Sequence, residues 1–160
     1  MNSAITITTT APGRFHLSAR QTLPRPRDEV WAFFSDPRNL SRLTPPETRI
    51  RMLNADALEM KEGALIDYEL RVKGIPLRWT SQISVWNPPA RFVDTQLRGP
   101  YRNWIHQHLF EEDGDSTVVG DEVDYQVPGG RLAHDLFVKR ELKRIFTFRM
   151  SALETVFGPA

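Results

Sequence analysis

The chain concentrates its chemically capable side chains between Arg91 and Phe110, in RFVDTQLRGPYRNWIHQHLF, where His106 and His108 stand two residues apart downstream of Asp94. Along a β-strand alternate residues point to the same side. Trp104, His106, His108 and Phe110 then share one face, with Asn103, Ile105, Gln107 and Leu109 on the other. The preceding segment groups Phe92, Asp94 and Gln96, and a following one groups Asp121, Val123 and Tyr125. The aromatic-containing sets are the expected inward faces, although Ile105/Leu109 and Val93/Leu97 compete for that place. On this assignment Tyr68, Trp79, Asp94, Gln96, Trp104, His106, His108, Asp121 and Tyr125 form one ligand-binding surface. Buried polar groups need partners or water, and a lined cavity offers both.

Three chemistries suit these residue types. Two imidazoles with Asp94 or Asp121 could ligate a metal, but no carboxylate stands at a diagnostic spacing. A histidine paired with an aspartate could act as a general acid or base. The plainest reading is polar lining of a pocket, and it is the one adopted, with no metal, no other cofactor and no assigned catalytic residue. Trp79 and Trp104 are expected to touch the cavity, whereas Trp86, beside Pro88-Pro89, reads as a structural plug.

These residues must be held by a sheet. Phe15, Leu17 and Ala19 alternate with His16, Ser18 and Arg20, the period of a half-buried strand. Two short helices follow: one opens at Pro26 with Asp28 and Glu29 in its first turn, the other is capped by Asp36 with Pro37 behind it. Strands are expected at about Thr48–Asn54, Ala64–Lys73, Leu77–Trp86, Arg91–Arg98, Asn103–Glu111 and Thr117–Val127, separated by turn-competent segments. Such short connections imply an antiparallel meander.

The chain closes with a helix from about Gly130 to Phe157. At 100° per residue Leu132, Leu136, Val138, Leu142, Phe146, Met150, Leu153 and Phe157 share a broad face, and the helix should pack on the sheet through Leu136, Leu142, Phe146 and Met150. Lys139 and Arg149 fall within this arc. They read as snorkelling cations, with the alternative that one pairs with Asp94 or Asp121 over the cavity. The Thr-rich residues 1–12 read as a flexible arm, although Ile5 and Ile7 could pair as a short strand, and residues 13–160 read as one domain. The fold class is α+β: a curved antiparallel sheet of about seven strands around one long C-terminal helix, leaving room between them for a small apolar molecule.

Composition narrows the function further. Twenty-one Lys+Arg against 20 Asp+Glu leave a formal charge of +1, without the basic excess of a nucleic-acid binder. The absence of cysteine excludes a thiol nucleophile or a disulfide scaffold and suits a reducing compartment. No apolar run approaches the ~20 residues needed to span a bilayer, and the first 11 residues do not resemble a signal peptide. A cytoplasmic protein is expected, with a small molecule rather than nucleic acid as its partner; its oligomeric state is left open. No GxGxxG, P-loop, GxSxG or HExxH motif is present.

Asp36-Pro37-Arg38-Asn39-Leu40 followed by Leu43-Thr44-Pro45-Pro46 resembles the short-helix segment of the SRPBCC (START-like, helix-grip) superfamily. The match extends through Gly63, Tyr68, Gly74-Ile75-Pro76, Trp79, Trp86-Asn87-Pro88-Pro89 and Phe92. It continues through Asp94, Gln96, Gly99-Pro100-Tyr101, Trp104, His106, His108, Phe110, Gly120-Asp121, Val123, Tyr125 and Pro128. These residues are most similar to the ligand-binding branch grouped with polyketide cyclases and lipid-transport proteins, from about Arg14 to Gly158. The resemblance implies a START-like domain over 13–160 with a deep cavity between sheet and helix. It implies binding or transport of a lipid, quinone or polyketide-like molecule, or, alternatively, a cyclase or dehydratase using cavity His/Asp residues as proton shuttles.

Overall fold

The computed structural model describes residues 4–160. Its strands are β1 (Ala4–Ala11), β2 (Arg14–Leu23), β3 (Arg51–Met52), β4 (Leu65–Val72), β5 (Ile75–Asn87), β6 (Arg91–Arg98), β7 (Asn103–Asp113) and β8 (Ser116–Gln126). They form one antiparallel sheet in the order β1-β2-β8-β7-β6-β5-β4-β3. Between β2 and β3 lie helix α1 (Arg27–Phe34) and 3₁₀ turns at Pro37–Leu43 and Pro46–Thr48. After β8 come the single turn α2 (Gly130–Ala133), a π-helical turn (His134–Val138) and α3 (Lys139–Phe157).

The expected α+β helix-grip architecture is therefore present, with eight strands rather than about seven. The extra strand is β1. Residues 4–11 are not a loose arm: Ile5 and Ile7 lie opposite Ala19 and Leu17 of β2 and pack against its buried side. Alternating Ile and Thr favour extended backbone, and the apolar half of that alternation meets an apolar partner. Residues 1–3 of the expected arm lie outside the described residues.

Register shifts in β5 between Thr80 and Ser81 and between Ile83 and Val85 mark bulges in its pairing with β6. Bulges bend a strand and increase its twist, which helps the sheet curl around α3. The inward alternation is as expected: Phe15, Leu17 and Ala19 on β2, Phe92 on β6, Trp104, His106, His108 and Phe110 on β7, and Asp121, Val123 and Tyr125 on β8 are buried. Leu142, Phe146, Leu153 and Phe157 close the other side. Each such side chain contributes about 1.5–3 kcal/mol by leaving water.

Three local expectations fail for identifiable reasons. The strand expected over 48–54 shrinks to two residues because Thr48 ends a 3₁₀ turn and Arg49 adopts a left-handed φ of 47°. Further on, the Asn54 side chain replaces ladder bonds, donating to the Leu65 carbonyl at 2.8 Å and accepting from the Asp67 amide at 3.1 Å. The second short helix is 3₁₀, although Asp36 caps it as expected by accepting from the Arg38 amide. Leu132 and Leu136 are 72% and 74% exposed, so Leu136 does not pack on the sheet. A π turn inserts about one extra residue into the helical repeat, which rotates everything before it by about 100°. That rotation carries His134 inward in their place, where it is buried.

Candidate functional site

A cavity of about 300 Å³ runs between the concave face of the sheet, the segment around Phe33–Thr44, and α3. Phe33, Leu43, Ile66, Trp79, Phe92 and Phe146 are among the side chains that make most of its wall apolar. One stretch of wall is polar, built where β6, β7 and β8 lie side by side beneath α3.

There Asp94 lies directly across from His106, and His108 directly across from Asp121. The hydrogen bonds run along the diagonals instead. His108 Nε2 is 2.6 Å from Asp94 Oδ2, and His106 Nε2 is 2.7 Å from Asp121 Oδ1. Diagonal neighbours on adjacent strands are within reach of long side chains. The crossed pairing stacks the two imidazoles with centroids 3.8 Å apart. From α3, Arg149 donates to Asp121 through Nε and Nη2, both at 3.1 Å, and through Nη2 to His108 Nδ1 at 3.3 Å.

These contacts assign the protons. A guanidinium can only donate, so His108 Nδ1 is an acceptor and its Nε2–H donates to Asp94. His106 Nε2 faces a carboxylate and so carries its proton; in the neutral ring Nδ1 is then a bare acceptor. Burial and the neighbouring His106 push His108 down to about 4, so it is neutral near pH 7. Burial pushes the Asp94 carboxyl up, but the His108 hydrogen bond and surrounding positive charge more than offset this and hold it below its usual range. Asp121 is held lower still, because Arg149 and the His106 hydrogen bond outweigh its burial.

A sheet that grips one long helix around such a cavity can be compared with known proteins. The family described as polyketide cyclase/dehydrase and lipid transport matches residues 14–158. The chain belongs to this family. Among solved structures, it is similar to the Zhui aromatase/cyclase from Streptomyces sp. R1128, with 17% identity and a TM-score of 0.69 over 88% of this chain and 91% of that one. It is also similar to the major latex-like protein 151 of Panax ginseng, with 12% identity and a TM-score of 0.67 over 92% and 99%. At these identities the likeness is one of fold. No curated protein sequence matches the chain.

Within this polyketide cyclase/dehydrase and lipid-transport framework, six of the nine side chains expected to meet a ligand border the cavity: Tyr68, Trp79, Asp94, Trp104, His106 and His108. The other three stand behind it. Asp121 is buried under His106 and Arg149, whereas Gln96 holds the adjoining loop by accepting from the Tyr101 amide and donating to its carbonyl. Tyr125 is 1% exposed and bonds His134 at 2.9 Å. Of the two cations in the helical arc, Arg149 does not snorkel; it takes the ion-pair alternative with Asp121. Its position on the inward face was legible, but its choice of partner depends on the diagonal histidine bonds. His134 was missed because a regular helical wheel puts it on the outer side.

Asp94, His106 and His108 each offer a ligand atom, all within 4.8 Å of one another. As arranged, this set does not suit a resident metal. His108 has committed one nitrogen to Asp94 and the other to Arg149, so neither is free to ligate an ion as the side chains stand. Among the described residues no helix is long and apolar enough to cross a membrane.

Proposed function

We propose that the protein binds or carries a hydrophobic small molecule with one polar end, without transforming it. The observation carrying this reading is the division of the cavity wall: apolar side chains around most of it and a polar patch at Asp94 and the buried His106 and His108, where β6, β7 and β8 meet α3. Apolar burial at ~25 cal/mol per Å² supplies the affinity, and the patch orients the ligand. Native mass spectrometry of protein purified from its own host should reveal a co-purifying molecule of this kind. Protein that stays ligand-free and binds no apolar probe would refute the reading. A resident metal plays no part in it, so elemental analysis of protein purified without metal-affinity steps should give substoichiometric zinc and iron.

One observation favours a second reading. His106 borders the cavity and is held by Asp121 through Nε2, leaving Nδ1 without a hydrogen-bond partner among the described residues, the arrangement of an oriented general base. A cyclase or dehydratase would use it to move a proton. His106→Gln separates the two readings: a binding protein still saturates with ligand, whereas an enzyme binds substrate and fails to turn it over. A cytoplasmic setting and independence from nucleic acid are part of the same proposal.

A further inference from the structure

The character of the polar patch narrows the ligand class, an inference that rests on the cavity-binding reading above. Two carboxylates, Asp94 and Asp121, share the buried cluster with one guanidinium, Arg149. Its hydrogen-bond valences are uneven as well. Asp94 Oδ2 accepts from His108, whereas Asp94 Oδ1 has no hydrogen-bond partner among the described residues. His106 Nδ1 has none either; its nearest acidic oxygen, Asp94 Oδ2, is 3.8 Å away. Both side chains retain exposure, 17% for Asp94 and 10% for His106, and both border the cavity. Apart from Arg149 Nη1, the groups this cluster leaves without a partner are thus two acceptors, on side chains that border the cavity.

The charged donors near the patch are largely committed. Arg149 gives three hydrogen bonds to Asp121 and His108, and its guanidinium carbon lies 5.2 Å over the Phe34 ring. The other acids on the wall, Asp36 and Glu141, are paired with Arg38 and Arg144, which use up those two arginines. Among the described residues no lysine borders the cavity. A ligand carboxylate would therefore arrive beside the Asp94 carboxylate without a matching cation, a like-charge encounter in an apolar setting. A hydroxyl or an ammonium would instead fill an open acceptor.

We propose that the cavity selects ligands whose polar end is a hydrogen-bond donor, a hydroxyl or an ammonium, and discriminates against carboxylates. The test uses four matched probes on one naphthalene ring: 2-naphthalenemethanol, 2-naphthylmethylamine, 2-naphthoate and 2-methylnaphthalene. Affinities are compared by calorimetry at pH 7.5. The alcohol and the amine should both bind at least tenfold more tightly than the carboxylate and more tightly than the hydrocarbon. Asp94→Asn, which keeps an acceptor for His108, should erase the advantage of the amine while the alcohol, satisfied by His106 Nδ1, keeps its own. The amine and alcohol arms thus distinguish charge from hydrogen bonding as the source of selection. A carboxylate within tenfold of the alcohol overturns the inference, and one that binds tightest assigns the patch to Arg149 Nη1 instead. Equal binding of all four probes overturns it while leaving the cavity reading intact. Binding of none removes the cavity reading and this inference together.

Discussion

Two buried polar networks stand on the same sheet, and only one of them faces the cavity. The first joins Asp94, His106, His108, Asp121 and Arg149. The second joins Tyr125 to His134 Nε2 at 2.9 Å and His134 Nδ1 to Asp135 at 3.0 Å, with the His134 ring stacked 3.5 Å from Phe15. Both contain buried histidines bonded to acids. In the second, both ring nitrogens are engaged, and burial keeps the Tyr125 hydroxyl protonated by pushing it up. It ties the start of the C-terminal helical segment to β2 and β8 and has nothing left to offer a ligand. The first keeps acceptors open on its cavity side. What makes a site here is unspent hydrogen-bond valence beside a space, since burial of a histidine is common to both.

The largest effect should come from removing the guanidinium of the first network. Arg149→Met leaves Asp94 and Asp121 buried with a neutral His108 between them, which should cost about 3–5 kcal/mol. Thermal or urea unfolding would measure it. Adding Asp121→Asn should recover part of the loss, because the uncompensated charge is then gone. Parent-like stability of the single variant would show that the network is solvated and that the contrast with the second network is false.

Acid should act on the first network next. The unfolded chain protonates His108 near 6.5, while the folded state resists until about 4. The unfolded state therefore binds more protons across this window, and stability falls as pH drops from 6.5 to 4, by about 1–3 kcal/mol. Asp94 and Asp121, held below 3.8 in the fold, extend the decline in the same direction at lower pH. Urea midpoints at pH 7, 5 and 4 should show it. His108→Gln should flatten the upper window and leave the lower one; an unchanged profile would mean that His108 titrates as if exposed.

How much of this was legible follows from which physics each feature uses. Strand alternation is local, so the grouping of Trp104, His106 and His108 on one face could be read from spacing, whereas Ile105 and Leu109 on the other face competed for the inward place. The diagonal bonds were not legible, since they depend on register between strands separated by turns: Asp94 sits opposite His106 yet bonds His108. Arg149 could be placed on the inner face of the helix, but not on Asp121, for the same reason. The π turn defeated the helical wheel outright, because one inserted residue exchanges Leu136 for His134 at the sheet. Tyr125 shares a strand face with Asp121 and Val123 as expected, yet inward is not the same as cavity-lining.

A binding measurement sharpens the comparison from the cavity side. Trp104 lies between the networks, its ring 6.1 Å from His106 and 5.9 Å from Tyr125, and it borders the cavity. Trp104→Ala removes a large part of the apolar wall and should weaken an apolar fluorescent probe by roughly tenfold, or shift preference toward bulkier ligands that fill the vacated space. A Trp104→Ala variant that folds and binds the probe unchanged would place the ligand elsewhere.

The smallest effect belongs to the second network. Tyr125→Phe keeps the ring against Phe15 and Trp104 and deletes the hydroxyl, leaving His134 Nε2 without its donor in a buried position. The cost should be about 1 kcal/mol, the usual scale for one neutral hydrogen bond. His134→Leu alone strands the hydroxyl instead and should cost a similar amount. The double variant removes both polar partners, so its loss should be smaller than the sum of the two single losses. Probe affinity should stay within experimental error in all three, because neither side chain borders the cavity. The double-mutant cycle thus gives a coupling energy on the stability axis and none on the binding axis. His106→Gln should behave oppositely, altering selectivity for the ligand's polar end more than stability. A clear change in probe affinity from Tyr125→Phe would mean that the closed network reaches the ligand after all, and the line drawn between the two histidine sites would have to be moved.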